Sequence, residues 1–170
     1  MIKLPKLISD KIEEFLNSSI KKEMDSAQIY YGMAAWLNTM GYDNGYQLFI
    51  KYGDEEIKHA HKIMDYLDNR NAKAIVPVVA KPNQEFSHCY DVIQAAYDHE
   101  VLVENNYKTL CSMAMREGDH TTYELGLFFI KEQFEEVQKF LDIANVININ
   151  KDNPNLPAVI EHLFKKHLKQ

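Results

Sequence analysis

The sequence predicts an all-α protein: a four-helix bundle in which a long crossover joins helices two and three, followed by a short fifth helix at the C-terminal end. Three observations carry this expectation. Apolar residues recur at steps of three and four over four long segments, as one face of a helix requires. Only six glycines and five prolines occur in 170 residues, so long stretches lack both. The single long segment without a helical period lies in mid-chain, where a lengthwise crossover would place it.

The first helix opens at Ser9-Asp10, a natural cap, and carries Ile12, Leu16, Ile20, Ala27, Tyr30, Ala34 and Leu37 on one stripe before ending near Gly41. The second is expected after Asp43-Asn44-Gly45, with Phe49, Tyr52, Ile63 and Tyr66 aligned, and fades at Asp68 to Asn71. Gly53 in its middle should cost about 1 kcal/mol relative to Ala. From Asn69 to Phe86 the text "NRNAKAIVPVVAKPNQEF" has two prolines and no helical period, and reads as a linker. Its stretch "AIVPVVA" has weak strand character, because proline cannot donate to a ladder.

The third helix starts near Ser87 and aligns Ile93, Ala96, Val103, Tyr107, Leu110 and Ala114, stopping at Glu117-Gly118-Asp119. The fourth runs from about Asp119 to Val146, with Tyr123, Leu127, Ile130, Val137, Leu141 and Ala144 as the expected stripe. After "NKDNPNLP" a fifth helix, Leu156 to Leu168, sets Val159, Ile160, Leu163 and Phe164 against a basic face. Each long helix would extend about 40 Å at 1.5 Å per residue. A linker of about 16 residues reaches roughly 50 Å, enough to run the bundle's length and leave helices two and three parallel.

At 46% hydrophobic residues the chain suits one well-cored domain, residues 1–170. The net charge is −6 and the 19 basic residues are scattered, which argues against a nucleic-acid partner. Cys89 and Cys111 form no CxxC pair and read as buried, reduced thiols. The segment MIKLPKLISD lacks the apolar run of a signal peptide, and no stretch approaches the roughly 18 apolar residues of a membrane span. The cytosol is therefore the expected compartment. Met33, Met40, Met113 and Met115 are expected to fill gaps in the core.

Extended through mid-helix, the apolar stripes run into acid. Glu23 interrupts the first stripe, Glu56 and His59 the second, and Glu100 the third, while the fourth passes Gln133 with Glu136 beside Val137. All stand near the midpoint of their helices, so they converge at one level whichever way each helix runs. Burying several carboxylates together requires a compensating cation. The only arginines, Arg70 and Arg116, lie near helix ends, which leaves a metal cluster or shared protons. Carboxylate oxygens with one imidazole suit iron or manganese, and the i, i+3 spacing of Glu56 and His59 lets both reach one ion.

These residues identify a resemblance. Glu23 with Tyr30, the pair Glu55-Glu56 followed by His59, then Glu100 and "KEQFEEV" from Lys131 to Val137 resemble the non-haem ferritins of the bacterial type, over essentially the whole chain. The resemblance implies a ferroxidase centre of Glu23, Tyr30, Glu56, His59, Glu100 and Gln133. In it Glu23, Glu56 and His59 hold the first iron, and Glu56 bridges to a second at Glu100, helped by Gln133 or Glu136. It further implies a third iron at Glu55, Glu132, Glu135 and Glu136. Tyr30 would stand beside the pair as a hydrogen-bond or electron donor. Ferrous iron and dioxygen or hydrogen peroxide would be the reactants, and a homo-oligomeric shell, normally of 24 subunits, would hold ferric mineral.

Related families fit less well. The haem-binding bacterioferritins carry Met after the bridging glutamate, where this chain has Ile57, and they repeat ExxH, so no haem is expected. Rubrerythrins add CxxC pairs, and ribonucleotide reductase subunits are much longer. Lys58 and His61 occupy positions where strongly mineral-nucleating ferritins tend to be acidic. A di-iron oxidase or peroxide scavenger that retains its iron as cofactor is the rival on the same bundle, and a non-catalytic metal buffer is the alternative of another class. The fifth helix resembles the one lining the family's fourfold pores, the plainer reading being a helix packed on its own bundle.

Overall fold

A computed structural model describes residues 2 and 4–169; Met1, Lys3 and Gln170 of the expected domain lie outside the described residues. Five helices follow in order: α1 (Asp10–Thr39), α2 (Asp43–Asn69), α3 (Cys89–Glu117), α4 (His120–Ile149) and α5 (Leu156–Leu168). α1 packs along α2, and α3 along α4, as two hairpins. The hairpins meet most closely through α1 and α3, whereas the Cα atoms of α2 and α4 all stay more than 8 Å apart among the described residues. The acidic cluster borders that wider seam.

The caps obey local chemistry. Ser9 Oγ accepts from Ile12 N at 3.2 Å at the start of α1, and Asp119 Oδ1 accepts from Thr122 N at 3.0 Å at the start of α4. His88 and Asp91 form a reciprocal capping box at α3. α2 begins at Asp43, three residues earlier than the turn-like Asp43-Asn44-Gly45 suggests. The reason lies on α5, whose Glu161 carboxylate accepts from Asn44 N at 3.1 Å and Gly45 N at 3.2 Å, satisfying donors that a helix start leaves open. α4 likewise continues to Ile149, three residues past Val146.

Gly53 is required by packing. A Cβ there would come within 2.3 Å of the Tyr31 ring, which crosses the helix and donates its hydroxyl to Asp54 at 2.8 Å. Gly32 plays the same part for the crossover, since its missing Cβ admits the carbonyl of Asn83. The crossover forms no strand among the described residues. Side chains of α1 take the place of a partner strand: Asn17 donates to the Lys73 carbonyl at 2.9 Å and accepts from Ile75 N at 2.7 Å, and Asp25 accepts from Ala80 N at 2.9 Å.

The stripes of α1 and α3 are buried throughout, as the sequence predicts. In α2, Phe49, Tyr52 and Ile63 are buried while Tyr66 is only half-buried, its place taken by Leu67. In α4 the buried face instead carries Thr122, Leu125, Gly126, Phe129, Gln133, Phe140, Ile143 and Ile147. Leu127 and Leu141 of the expected stripe are exposed, along with Phe134. α4 is apolar on two faces, so periodicity alone did not choose between them. Met33 is buried, but Met40 and Met115 are exposed at helix ends, where no core remains to fill. Cys89 and Cys111 are buried and free. α5 lays Ile160 and Phe164 on its own bundle, Phe164 meeting Phe49 and Tyr42, and Lys165 and Lys166 face outward. No helix is long and apolar enough among the described residues to cross a membrane.

Candidate metal centre

Two hydrophobic clusters, one toward each end of the bundle, leave a polar layer between them. Glu23 from α1, Glu56 from α2, Glu100 from α3 and Gln133 from α4 all enter this layer and are buried. The helical stripe that buries Ile20 and Ala27 must bury Glu23 as well, and the same logic places Glu56 between Tyr52 and Ile63.

Glu23, Glu56 and His59 form a compact donor set, with one ligand atom of each within 4.8 Å of the others. His59 Nδ1 lies 3.3 Å from Glu56 Oε2 and 3.4 Å from Glu23 Oε2, and its Nε2 is 3.9 Å from Glu132 Oε2. Tyr107 donates its hydroxyl to the other oxygen of Glu23. Gln133, its amide oriented to donate, bonds Glu100 Oε2 at 2.5 Å and the Glu100 carbonyl at 3.2 Å. Glu23 Oε2 and Glu100 Oε1 remain buried without a hydrogen-bond partner. Orphaned carboxylate oxygens in a dry core are costly, and a bound cation would satisfy both.

Burial, reinforced by the neighbouring Glu23, pushes the Glu56 carboxyl well above the usual carboxylate range. Glu100 is raised in the same way by burial and by the charges of Glu136 and Glu23. Burial would depress His59, but the Glu23 and Glu56 carboxylates beside it outweigh that and push the imidazole up to about 10. Without a metal, protons and an imidazolium thus balance the acid, and Glu23, Glu56 and His59 could hold a metal ion in their place.

The expected third group is assembled in part. Glu55, Glu132 and Glu136 line one pocket of about 360 Å³ with Lys58, His59, Lys62 and Phe128, on the α2–α4 side. Glu135 is exposed and is not among its lining residues. Glu136 is engaged by Lys139, Nζ to Oε1 2.8 Å. Tyr30 is buried with its hydroxyl unpartnered, its ring centroid 5.7 Å from Tyr52 and 5.9 Å from Phe49.

Two contacts were not foreseen from sequence. Tyr107 reads as an ordinary core aromatic, and only its seven-residue spacing from Glu100 hints that it faces the same layer. Lys139 reads as a solvated surface charge, though it stands one turn beyond Glu136. His99, whose Nε2 is 2.7 Å from Ser26 Oγ, lines a separate pocket of about 490 Å³ between α1, α3 and the crossover.

Comparison with known proteins agrees with the geometry. The family model of the ferritin-like domain matches residues 13–149. The bacterial non-heme ferritin of Campylobacter jejuni is 27% identical over 149 residues, covering 88% of this chain and 89% of that protein. The bacterial non-heme ferritin of Staphylococcus aureus is 28% identical over 162 residues, 95% of each chain. Among solved structures, an open pore ferritin from the hyperthermophilic archaeon Archaeoglobus fulgidus superposes with a TM-score of 0.90 at 28% identity, covering 98% of this chain and 99% of that one. The family match spans most of the bundle and includes every member of the acidic layer, and the chain belongs to the ferritin family.

Proposed function

We propose that the chain is a cytosolic iron-storage subunit with ferroxidase activity, and that ferrous iron is oxidised at a di-iron centre within one subunit before ferric mineral accumulates inside a homo-oligomeric shell of 24 copies. The observation that carries this reading is the layer of buried Glu23, Glu56 and Glu100, two of whose carboxylate oxygens lack a hydrogen-bond partner, beside the half-buried His59. Iron is substrate and cargo here. Glu23, Glu56 and His59 are suited to the first ferrous ion, with Glu56 shared toward a second held by Glu100 and by Gln133 or Glu136. Glu55, Glu132, Glu135 and Glu136 would hold a third iron.

Within this centre each group has a task. Tyr107 fixes one oxygen of Glu23, which leaves the other aimed at His59 and the first ion. Gln133 orients Glu100 in the same manner. The aromatic group of Tyr30, Phe49, Tyr52 and Phe140 closes one side against water. Two ferrous ions each give up one electron, and dioxygen takes both with two protons to become hydrogen peroxide. Peroxide in turn serves as the oxidant of further iron.

The test is aerobic iron oxidation followed by stopped-flow absorbance. Glu56→Ala and His59→Ala should each lower the rapid phase at least about a hundredfold, as loss of a positioned metal ligand does, while the protein still assembles. A cleanly folded Glu56→Ala variant that oxidises iron at the parent rate would refute the bridging role.

A further inference from the structure

Lys139 occupies an unusual position. Its Nζ is 2.8 Å from Glu136 Oε1 and stands 5.7 Å from the centroid of the Tyr52 ring, with side-chain exposures of 29% for the lysine and 13% for the glutamate. Among the described residues, His59 and Lys139 are the two basic side chains in ion-pair contact with Glu23, Glu56, Glu132 or Glu136. His59 also offers lone pairs to a metal once deprotonated. An ammonium offers only N–H donors, so it competes with a metal for a carboxylate and cannot share the coordination.

We infer that Lys139 is a built-in counter-cation of the centre, holding Glu136 in the metal-free chain and yielding it only when a divalent ion displaces the ammonium. The inference rests on the di-metal reading above. Its consequence is an ordered site. The Glu23–Glu56–His59 side is preassembled and meets no competing ammonium, so it fills first. The Glu136 side fills second and more weakly, because each ion that arrives there must release the lysine. The lysine has somewhere to go: its stem is part-exposed, one turn from the helix surface that bears Glu135. The built-in cation thus makes the second side of the centre the weaker and the later to fill.

The experiment titrates the metal-stripped, assembled full-length protein with Co2+ under anaerobic conditions, following the visible absorption of the bound ion and the heat of binding. The first class is identified by its loss in His59→Ala. In Lys139→Met and Lys139→Gln the second class should tighten at least about tenfold, the expected result of removing a charge-assisted competitor, while the first class moves less than about twofold. Lys139→Arg should leave the second class as weak as in the parent. A second class unchanged in both neutral variants would overturn the role of Lys139 alone, as would equal tightening of both classes. A parent protein that binds no Co2+ would overturn the di-metal reading, and this inference with it. If Lys139→Met fails to fold, the Gln variant reads the same outcome.

Discussion

Glu100 shows what a single residue in the acidic layer does. Its side chain is buried, one oxygen is unpartnered, and burial with the nearby Glu136 and Glu23 raises its carboxyl well above 4.5. Glu100→Gln removes the ionisable group and keeps the shape, so it should stabilise the metal-free protein by about 1 kcal/mol at pH 8. Thermal melting in chelator checks this, and clear destabilisation would show Glu100 to be a paired structural residue. The same shifts set a pH dependence. A carboxyl raised on folding, as in Glu56, Glu100 and Glu136, favours the folded state below its unfolded value near 4.5 and loses that contribution as pH rises above it. An imidazole raised from 6.5 to about 10, as in His59, contributes fully below 6.5 and loses its contribution as pH rises through about 10. Both signs agree, so this layer should make the metal-free protein progressively less stable from pH 5 to pH 9. A divalent ion replaces the protons, and the gap in melting temperature between loaded and metal-free protein should widen over the same range. A gap that narrows would contradict the assignment of these groups to a metal site.

At the scale of elements, Gly53 and the crossover carry the tests. Gly53→Ala would ordinarily stabilise a helix interior by about 1 kcal/mol. Here the added methyl would meet the Tyr31 ring, so overpacking should instead destabilise the protein by about 1–3 kcal/mol. Chemical denaturation of Gly53→Ala, with and without Tyr31→Ala, measures this, and the smaller side chain should relieve the loss. Asn17→Ala should free the crossover at Lys73 and Ile75, costing about 1–2 kcal/mol and raising proteolysis between residues 73 and 80. The helices were largely legible because three of the four long stripes have one apolar face. α4 was not, because Leu127, Phe134 and Leu141 make a second apolar face while Thr122, Gly126 and Gln133 dilute the buried one. The start of α2 was illegible for another reason, since its cap comes from Glu161, more than a hundred residues away. The site divides similarly. Glu23, Glu56 and Glu100 interrupt apolar stripes and could be read directly, whereas Tyr107 and Lys139 look like ordinary core and surface residues until the helices are packed.

The whole molecule displays surface that one chain leaves unused. Ile75, Val76, Val78 and Val79 of the crossover and Leu127, Phe134 and Leu141 of α4 are exposed apolar residues on two separate elements. A shell of copies would cover such faces, as patches of this kind commonly mark association. Size determination in solution should therefore find an assembly many times the 19.8 kDa of one chain. Lys58, exposed, and Lys62 beside it put positive charge at the pocket next to Glu132, and His61 follows on the same helix. Under the proposed function this charge makes oxidation and storage separable questions, because oxidation would take place at the acidic layer whether or not the neighbouring surface favours mineral.

Iron storage is tested most directly by aerobic loading with ferrous iron, followed by isolation of the assembled particle and determination of iron retained per chain together with oxygen consumed. The proposal predicts iron far beyond the two or three ions that the carboxylates can ligate, carried as ferric mineral in a large shell. Saturation at two or three ions per chain, on a monomer or at any size, would contradict storage and identify the iron as a retained cofactor.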